Sequence, residues 1–247
     1  MSTDFTGQIA VVTGAAAGIG QAIATHLAEC GARIAGVDIA PTLADAVAEL
    51  PGEGHLAVSA NIADATEASA AISRVEAELG TPRILVNSAG IGRFAPGEDL
   101  AEKDWGSTLA VNLSGSFFMA QAAGRVMLKS GYGRIVTIAS QAAEIGLAEH
   151  AAYSASKAGV LGFTRVLAVE WAGRGVTINT VSPTIADTAL AREIWVGEKG
   201  ETARAMIPAG RFVAPEEISS LVGFLASEES AMITGEDVRI DGGRSVI

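Results

Sequence analysis

The chain has 247 residues, 49% of them hydrophobic and 18% charged, which is ample apolar material for a large core and too apolar for a disordered chain. Its 28 acidic residues outnumber 17 basic ones, and the net charge of −11 argues against nucleic-acid and anionic-membrane partners. A single cysteine, Cys30, excludes an internal disulfide, and with three scattered histidines it predicts no metal site. The stretch Met1–Gly7 has neither the basic nor the apolar region of a signal peptide, and no apolar run approaches the length of a membrane span. A cytoplasmic location is the expectation.

In chain order, Ile9–Thr13 reads as a strand and runs into Thr13-Gly14-Ala15-Ala16-Ala17-Gly18-Ile19-Gly20, with a helix over Ile19–Cys30. A strand over Arg33–Asp38, a helix over Thr42–Leu50, a strand over His55–Ser59 and a helix over Ala65–Leu79 follow. Next come a strand over Ile84–Asn87, a loop over Gly92–Asp104 and a long helix over Gly106–Lys129. The remainder reads as strand Arg134–Ser140, helix Tyr153–Ala172, strand Thr177–Val181, helix Pro215–Ala226 and strand Val238–Ile240. Several strands are continuous apolar runs, which suits strands covered on both faces. Alternating strands and helices imply right-handed crossovers and a parallel, doubly wound sheet in one α/β domain spanning 1–247. Between the last two strands, Ile185–Gly210 is too long and too mixed for a simple connection, and it is expected to form a substrate lid.

The glycine-rich turn after the first strand is suited to a pyrophosphate. Gly14, Gly18 and Gly20 allow a tight turn and close approach, and Ile19 opens a helix whose N-terminal N–H groups are unpaired. Such a turn alone is often nothing more than a turn. Asp38, about 20 residues beyond and at the end of the second strand, sits where an acid accepts hydrogen bonds from ribose hydroxyls. The same carboxylate repels a 2′-phosphate, and neither Ala15–Ala17 nor Ile39–Ala40 supplies a cation to hold one, so the expected cofactor is NAD. Asn61 and Ile62 after the third strand, and Asn87, Ser88, Ala89 and Gly90 after the fourth, fall at strand ends where this ligand would lie.

Taken together, Thr13–Gly20, Asn87–Gly90, Asn112, Ser140, Tyr153-Ser-Ala-Ser-Lys157, Asn179 with Pro183, and Ile240-Asp241-Gly242-Gly243 resemble the short-chain dehydrogenase/reductase family over essentially the whole chain. The resemblance implies a Rossmann-type domain with a seven-stranded parallel sheet and a catalytic tetrad of Asn112, Ser140, Tyr153 and Lys157. It also implies a homotetramer. The residues suit those roles. Tyr153 and Lys157 are four apart on one helix face, and a nearby ammonium favours the phenolate that takes a proton from an alcohol. Ser140 at a strand end can hold the reacting oxygen, Lys157 can reach the nicotinamide ribose, and the side chain of Asn112 can hold a proton-relaying water.

Two departures from the family pattern carry information. Asn61 stands where an Asp is common. Thr184 follows Pro183 where Gly is usual, which predicts an extended backbone there; Pro183, Thr184, Ile185 and Thr188 are the expected neighbours of the nicotinamide. The segment from Ser182 through Trp195 to Phe212 is similar to the sugar-alcohol (D-threitol-type polyol) dehydrogenase branch of the family. A polyol needs matched hydrogen-bonding groups, and Gln141, Glu144, His150 and Trp195 are the candidates, with Glu198, Arg93 and Phe94 behind them. Apolar residues around the helices over Gly106–Lys129 and Tyr153–Ala172, such as Phe117, Phe163 and Val166, agree with burial against another subunit. The competing readings are a carbonyl or 3-oxoacyl-thioester reductase and a non-catalytic NAD-binding sensor.

Overall fold

Residues 4–247 are described by a computed structural model, so Met1, Ser2 and Thr3 of the N-terminal stretch lie outside the described residues. Among these residues, seven strands form one parallel sheet: β1 (Ile9–Thr13), β2 (Arg33–Asp38), β3 (Leu56–Ser59), β4 (Ile84–Asn87), β5 (Gly133–Ile138), β6 (Val176–Pro183) and β7 (Asp237–Ile240). Their spatial order is β3-β2-β1-β4-β5-β6-β7, as expected for a doubly wound fold. Alternating residues of β1 feed different cores: Ala10 and Val12 join one, Ile9 and Val11 the other.

The first core is closed by α1 (Gly18–Glu29), α2 (Leu43–Ala48) and α9 (Pro215–Ala226), through residues such as Ile23, Leu27, Val47, Ile218 and Leu225. The second is closed by α3 (Ala65–Glu78), α5 (Ser116–Ser130) and α6 (Ala151–Trp171), through Ile72, Val75, Met119, Met127, Leu167 and Trp171. Both layers are built from buried apolar side chains, one on each face of the sheet.

Two expectations need correction. The helix expected over Gly106–Lys129 is three pieces: α4 (Glu102–Leu109), a π-helical turn over Ala110–Gly115, and α5. It starts earlier because Glu102 and Asp104 sit in its first turn, where acids complement the helix dipole. The π turn falls on Asn112, whose side chain is bound to a neighbouring loop. The segment 185–210 is not irregular but holds α7 (Ala189–Ile194), capped by the Thr188 hydroxyl, and α8 (Gly197–Ala205). No helix among the described residues is long and apolar enough to cross a membrane.

Strand order reverses where β1 lies between β2 and β4, and in a doubly wound fold the carboxyl ends of the strands beside that point are where a ligand is taken. The candidate site occupies that end of the sheet.

Candidate active site

The turn after β1 is built for close approach. Gly14 has φ +70, and a Cβ on it would come within 2.9 Å of the Ala89 backbone. Thr13 is a clip that spacing did not reveal: its buried hydroxyl oxygen accepts from the N–H groups of Ser88 (3.0 Å) and Ala89 (3.1 Å), joining the ends of β1 and β4. At Ala17 no side chain caps α1, so the N–H groups of its first turn, at Gly18, Ile19 and Gly20, carry no side-chain acceptor. That is a donor set for a pyrophosphate. Asp38 accepts from Ala16 N–H at 3.2 Å, from Ile39 N–H at 2.7 Å and from Ala40 N–H at 3.0 Å, which places its carboxylate beside the glycine-rich turn. Ile39 beside it is 71% exposed. An uncapped helix start, a glycine cradle and a strand-end carboxylate together fit a dinucleotide with a free ribose diol.

Two of the strand-end amides are also engaged by the protein. The Asn87 side chain is buried, donating to Ser116 O and Thr137 Oγ1, both at 3.2 Å, so it knits β4 to β5 and α5. Asn61 is exposed. Its side-chain oxygen accepts from Ala63 N–H (3.1 Å) and its own N–H donates to Glu67 (2.8 Å). Ile62 is buried against Gly115 of the π turn.

Asn112 is likewise engaged. Its amide donates to Ile91 O (2.8 Å) and Ser156 Oγ (3.1 Å), and its oxygen accepts from Ile91 N–H (2.8 Å). With both donors and one acceptor position filled by protein, the side chain anchors the loop after β4. Gly90 lies between Asn112 and Lys157: a Cβ there would approach Asn112 Oδ1 to 3.3 Å and Lys157 Nζ to 3.7 Å.

Tyr153 and Lys157 share the inward face of α6. Lys157 is buried, its Nζ donates to Ile138 O at 2.6 Å and lies 5.7 Å from the Tyr153 ring centre. Burial lowers its pKa to about 8. Burial also raises the Tyr153 pKa above the ordinary phenol value, and the Ser140 side chain, through hydrogen bonding, pulls it partly back. The Ser140 Oγ in turn accepts from Ala142 N–H (3.1 Å), capping a 3-10 turn over Gln141–Ala143.

Ser140 and Tyr153 open onto a cavity of about 550 Å³, within the range of small-molecule sites. Ile19, Ser140, Gln141, His150, Tyr153, Pro183, Thr184, Ile185, Thr188 and Trp195 all line it, as the sequence led one to expect. Thr184 has no positive φ, in keeping with an extended path there, and both its Oγ1 and Gln141 Oε1 are buried without a protein partner. His150 has its tautomer set by structure: Nδ1 lies 2.6 Å from Ala148 O and must donate to it. Phe94 stacks on His150 at 4.3 Å and meets Tyr153 edge-on at 5.9 Å. Its ring folds so tightly over Gly92 that a Cβ there would lie 2.3 Å away.

Glu144 does not line the cavity. Its carboxylate pairs with Arg239 at 2.8 Å, a better partner for a charge than a largely apolar wall. Arg93 and Glu198 are likewise absent from the wall. Sequence reading missed Leu147, Leu190, Ile194, Met206, Ile207 and Arg244, which reach the cavity from the segment before α6, from α7, from the residues after α8 and from the last turn of the chain.

A carboxylate-marked glycine turn at the switch point, with a tyrosine and a buried lysine on α6 beside the end of β5, defines a class: dinucleotide-dependent α/β oxidoreductases. A family model described as enoyl-(acyl carrier protein) reductase matches residues 14–245. The chain is 50% identical to the D-threitol dehydrogenase of Mycolicibacterium smegmatis, over 100% of this chain and 97% of that protein. It is 41% identical to the NAD-dependent glycerol dehydrogenase of Listeria innocua, over 98% and 96%. The crystal structure of gox2181 superposes with a TM-score of 0.95 at 37% identity, covering 99% of this chain and 98% of that one. The chain belongs to the short-chain dehydrogenase/reductase family and is an oxidoreductase.

Proposed function

We propose that the protein is an NAD-dependent dehydrogenase that oxidises a secondary alcohol of a sugar alcohol to the ketone, with Tyr153 as general base. The observation that carries this reading is the convergence of Ser140 and Tyr153 on one cavity, with the buried Lys157 Nζ 5.7 Å behind the Tyr153 ring centre. The 50% likeness to a D-threitol dehydrogenase supports the polyol substrate, and the 41% likeness to an NAD-dependent glycerol dehydrogenase supports the cofactor. Asp38 beside the glycine turn supports NAD over NADP.

In this reading Gly14, Gly18, Ile19 and Gly20 cradle the pyrophosphate and Asp38 takes the ribose hydroxyls. Ile39, Asn61, Ile62, the main chain at Asn87, Ala89 and Gly90 border the adenosine half, and Pro183, Thr184, Ile185 and Thr188 flank the nicotinamide. The unpartnered Thr184 hydroxyl suits the carboxamide. Oxidised nicotinamide, when bound, supplies the hydride acceptor and a positive charge.

Ser140 donates a hydrogen bond to the carbinol oxygen and holds it against the Tyr153 phenolate, which removes the hydroxyl proton as hydride leaves the carbon. The Lys157 ammonium favours the phenolate that burial alone would disfavour. Asn112 fixes the loop at Ile91 and so the position of Gly90 beside Lys157. Residues 185–210 act as the lid, closing water out over the substrate. Gln141, His150 and Trp195 meet the substrate hydroxyls.

A second reading, reduction of a ketone on an acyl thioester, draws support from the apolar lining of Leu147, Leu190, Ile194, Met206 and Ile207. One assay separates the two. Purified protein is screened spectrophotometrically with C4–C6 polyols and NAD⁺ or NADP⁺ at alkaline pH, beside a 3-oxoacyl thioester with NADH or NADPH. Polyol oxidation with NAD⁺ supports the first reading. Thioester reduction without polyol oxidation overturns it.

A further inference from the structure

We propose that the substrate of this cavity carries an oxyanion, a carboxylate or a phosphate, and that Arg244 holds it. The inference rests on the alcohol-oxidising reading and names the substrate class of that same site.

Among the described residues, Arg244 is the only Lys or Arg on the cavity wall, and no Asp or Glu lines it. The guanidinium offers five N–H donors, yet its side chain has one contact, NH2 to Met206 Sδ at 3.9 Å, with a weak acceptor. Among the described residues no carboxylate lies within ion-pairing distance of it, in a chain with 28 acids and 17 bases. Nearby arginines are engaged: Arg192 pairs with Asp187, Arg211 with Glu217 and Arg239 with Glu144, while Arg204 lies over the Phe212 ring at 5.3 Å. The nearest acid in sequence, Asp241, is committed elsewhere. Its two oxygens accept from Gly243 N–H (3.0 Å) and Ser245 N–H (2.9 Å).

The backbone that carries Arg244 is firmly held. Gly242 and Gly243 have φ +61 and +88, a turn that aims the following residue back at the lid. Gly242 packs on Ile207 and Ala209, Gly243 packs on Pro208, and Ala209 N–H donates to Gly242 O at 3.0 Å. Arg244 is half-buried, with its stem beside Met206.

A cation in a partly enclosed, largely apolar cavity feels a lower effective dielectric than one on open surface, so its attraction for an anion is strengthened. The planar fork matches a carboxylate or phosphate bidentately. A polyhydroxy acid or a polyol phosphate would place its carbinol between Ser140 and Tyr153, its remaining hydroxyls on Gln141 and His150, and its charge on Arg244.

The test compares kcat/KM with NAD⁺ for neutral C4–C6 polyols, the aldonates of the same chain length and configuration, and the corresponding polyol phosphates. It uses wild type, Arg244→Met, which keeps an apolar stem beside Met206, and Arg244→Lys, which keeps the charge. The proposal expects one anionic arm to exceed its neutral counterpart by tenfold or more, and the preferred arm identifies carboxylate or phosphate. Arg244→Met should cut the anion-to-neutral ratio by about ten- to a hundredfold, mainly through KM, and Arg244→Lys should restore part of it. Undiminished NADH binding, read by fluorescence, certifies the fold of each variant. An anion-to-neutral ratio unchanged in Arg244→Met overturns the proposal and assigns Arg244 to lid positioning. Oxidation of neutral polyols without oxidation of either anionic arm overturns it too, while the dehydrogenase reading stands. Oxidation of no alcohol in any arm sinks both.

Discussion

Asn112 and Ile91 are joined by two hydrogen bonds, each 2.8 Å long, one in each direction between the side-chain amide and the main chain. Asn112 therefore behaves as an extra residue of backbone, splicing the π turn into the loop after β4. In Asn112→Asp the acceptor for Ile91 N–H survives, but the donors to Ile91 O and Ser156 Oγ are lost. A buried acceptor left bare costs about 1–3 kcal/mol. The expected outcome is a Tm lowered by several degrees and a reduced kcat, checked by calorimetry and initial rates. Unaltered values in both would remove Asn112 from the positioning role.

Tyr153→Phe should lower kcat by roughly 10²–10⁴, the usual contribution of a positioned general base. NADH binding should persist, because the phenol hydroxyl is one contact among many. Turnover within a factor of a few of wild type would contradict the mechanism.

The pH dependence follows from two shifts of opposite sign. Burial raises the Tyr153 pKa, so the base form is present above that value and alcohol oxidation is lost as pH falls through it. Oxidation should therefore climb through the alkaline range, read as initial rate against pH. For stability, Lys157 has a folded pKa of about 8, below its ordinary 10.5. Between those values the unfolded chain binds more protons than the folded one, so stability rises with pH there. Relative to Lys157→Met, wild type should gain Tm from pH 8 to pH 10.5; a flat difference would mean the buried amine is not carrying this charge.

Asp38→Ala combined with Ile39→Arg should move preference from NAD⁺ toward NADP⁺ by an order of magnitude or more in kcat/KM. The substitution removes a carboxylate facing the ribose and adds a cation at a residue already 71% exposed. An unchanged coenzyme ratio would detach Asp38 from the ribose.

Val169 is 86% exposed and Val166 55% exposed on α6, and Met232 is 95% exposed beyond it, which is costly apolar surface for a monomer. We expect a homotetramer, with about four times the 25.0 kDa chain mass in light scattering, and dissociation by Val169→Asp. A monomer mass in wild type would reject the assembly.

The parts legible in advance were those set by local spacing. The strands Ile9–Thr13, Arg33–Asp38 and Ile84–Asn87 and the helix Pro215–Ala226 fall where their patterns put them, because apolar runs and a proline start are local signals. Tyr153 and Lys157 were readable for the same reason, being one helical turn apart. What escaped was long-range. Nothing near Thr13 announces that it clips Ser88, nothing near Glu144 announces Arg239, and the polar residues around Asn87 and Asn112 look alike whether they serve a ligand or the fold. The two lid helices were hidden because α8 mixes glycine and charge and lacks a clear apolar stripe.

The cavity draws its wall from Ile19 near one end of the chain and Arg244 near the other, with the last glycine pair latched onto the lid. No contiguous fragment of this protein can therefore carry a working site. Hydride transfer becomes a readout of complete folding: a chain cleaved in the lid or shortened by its final few residues should keep most of its sheet yet register as silent, and cofactor turnover would count finished molecules where circular dichroism would not.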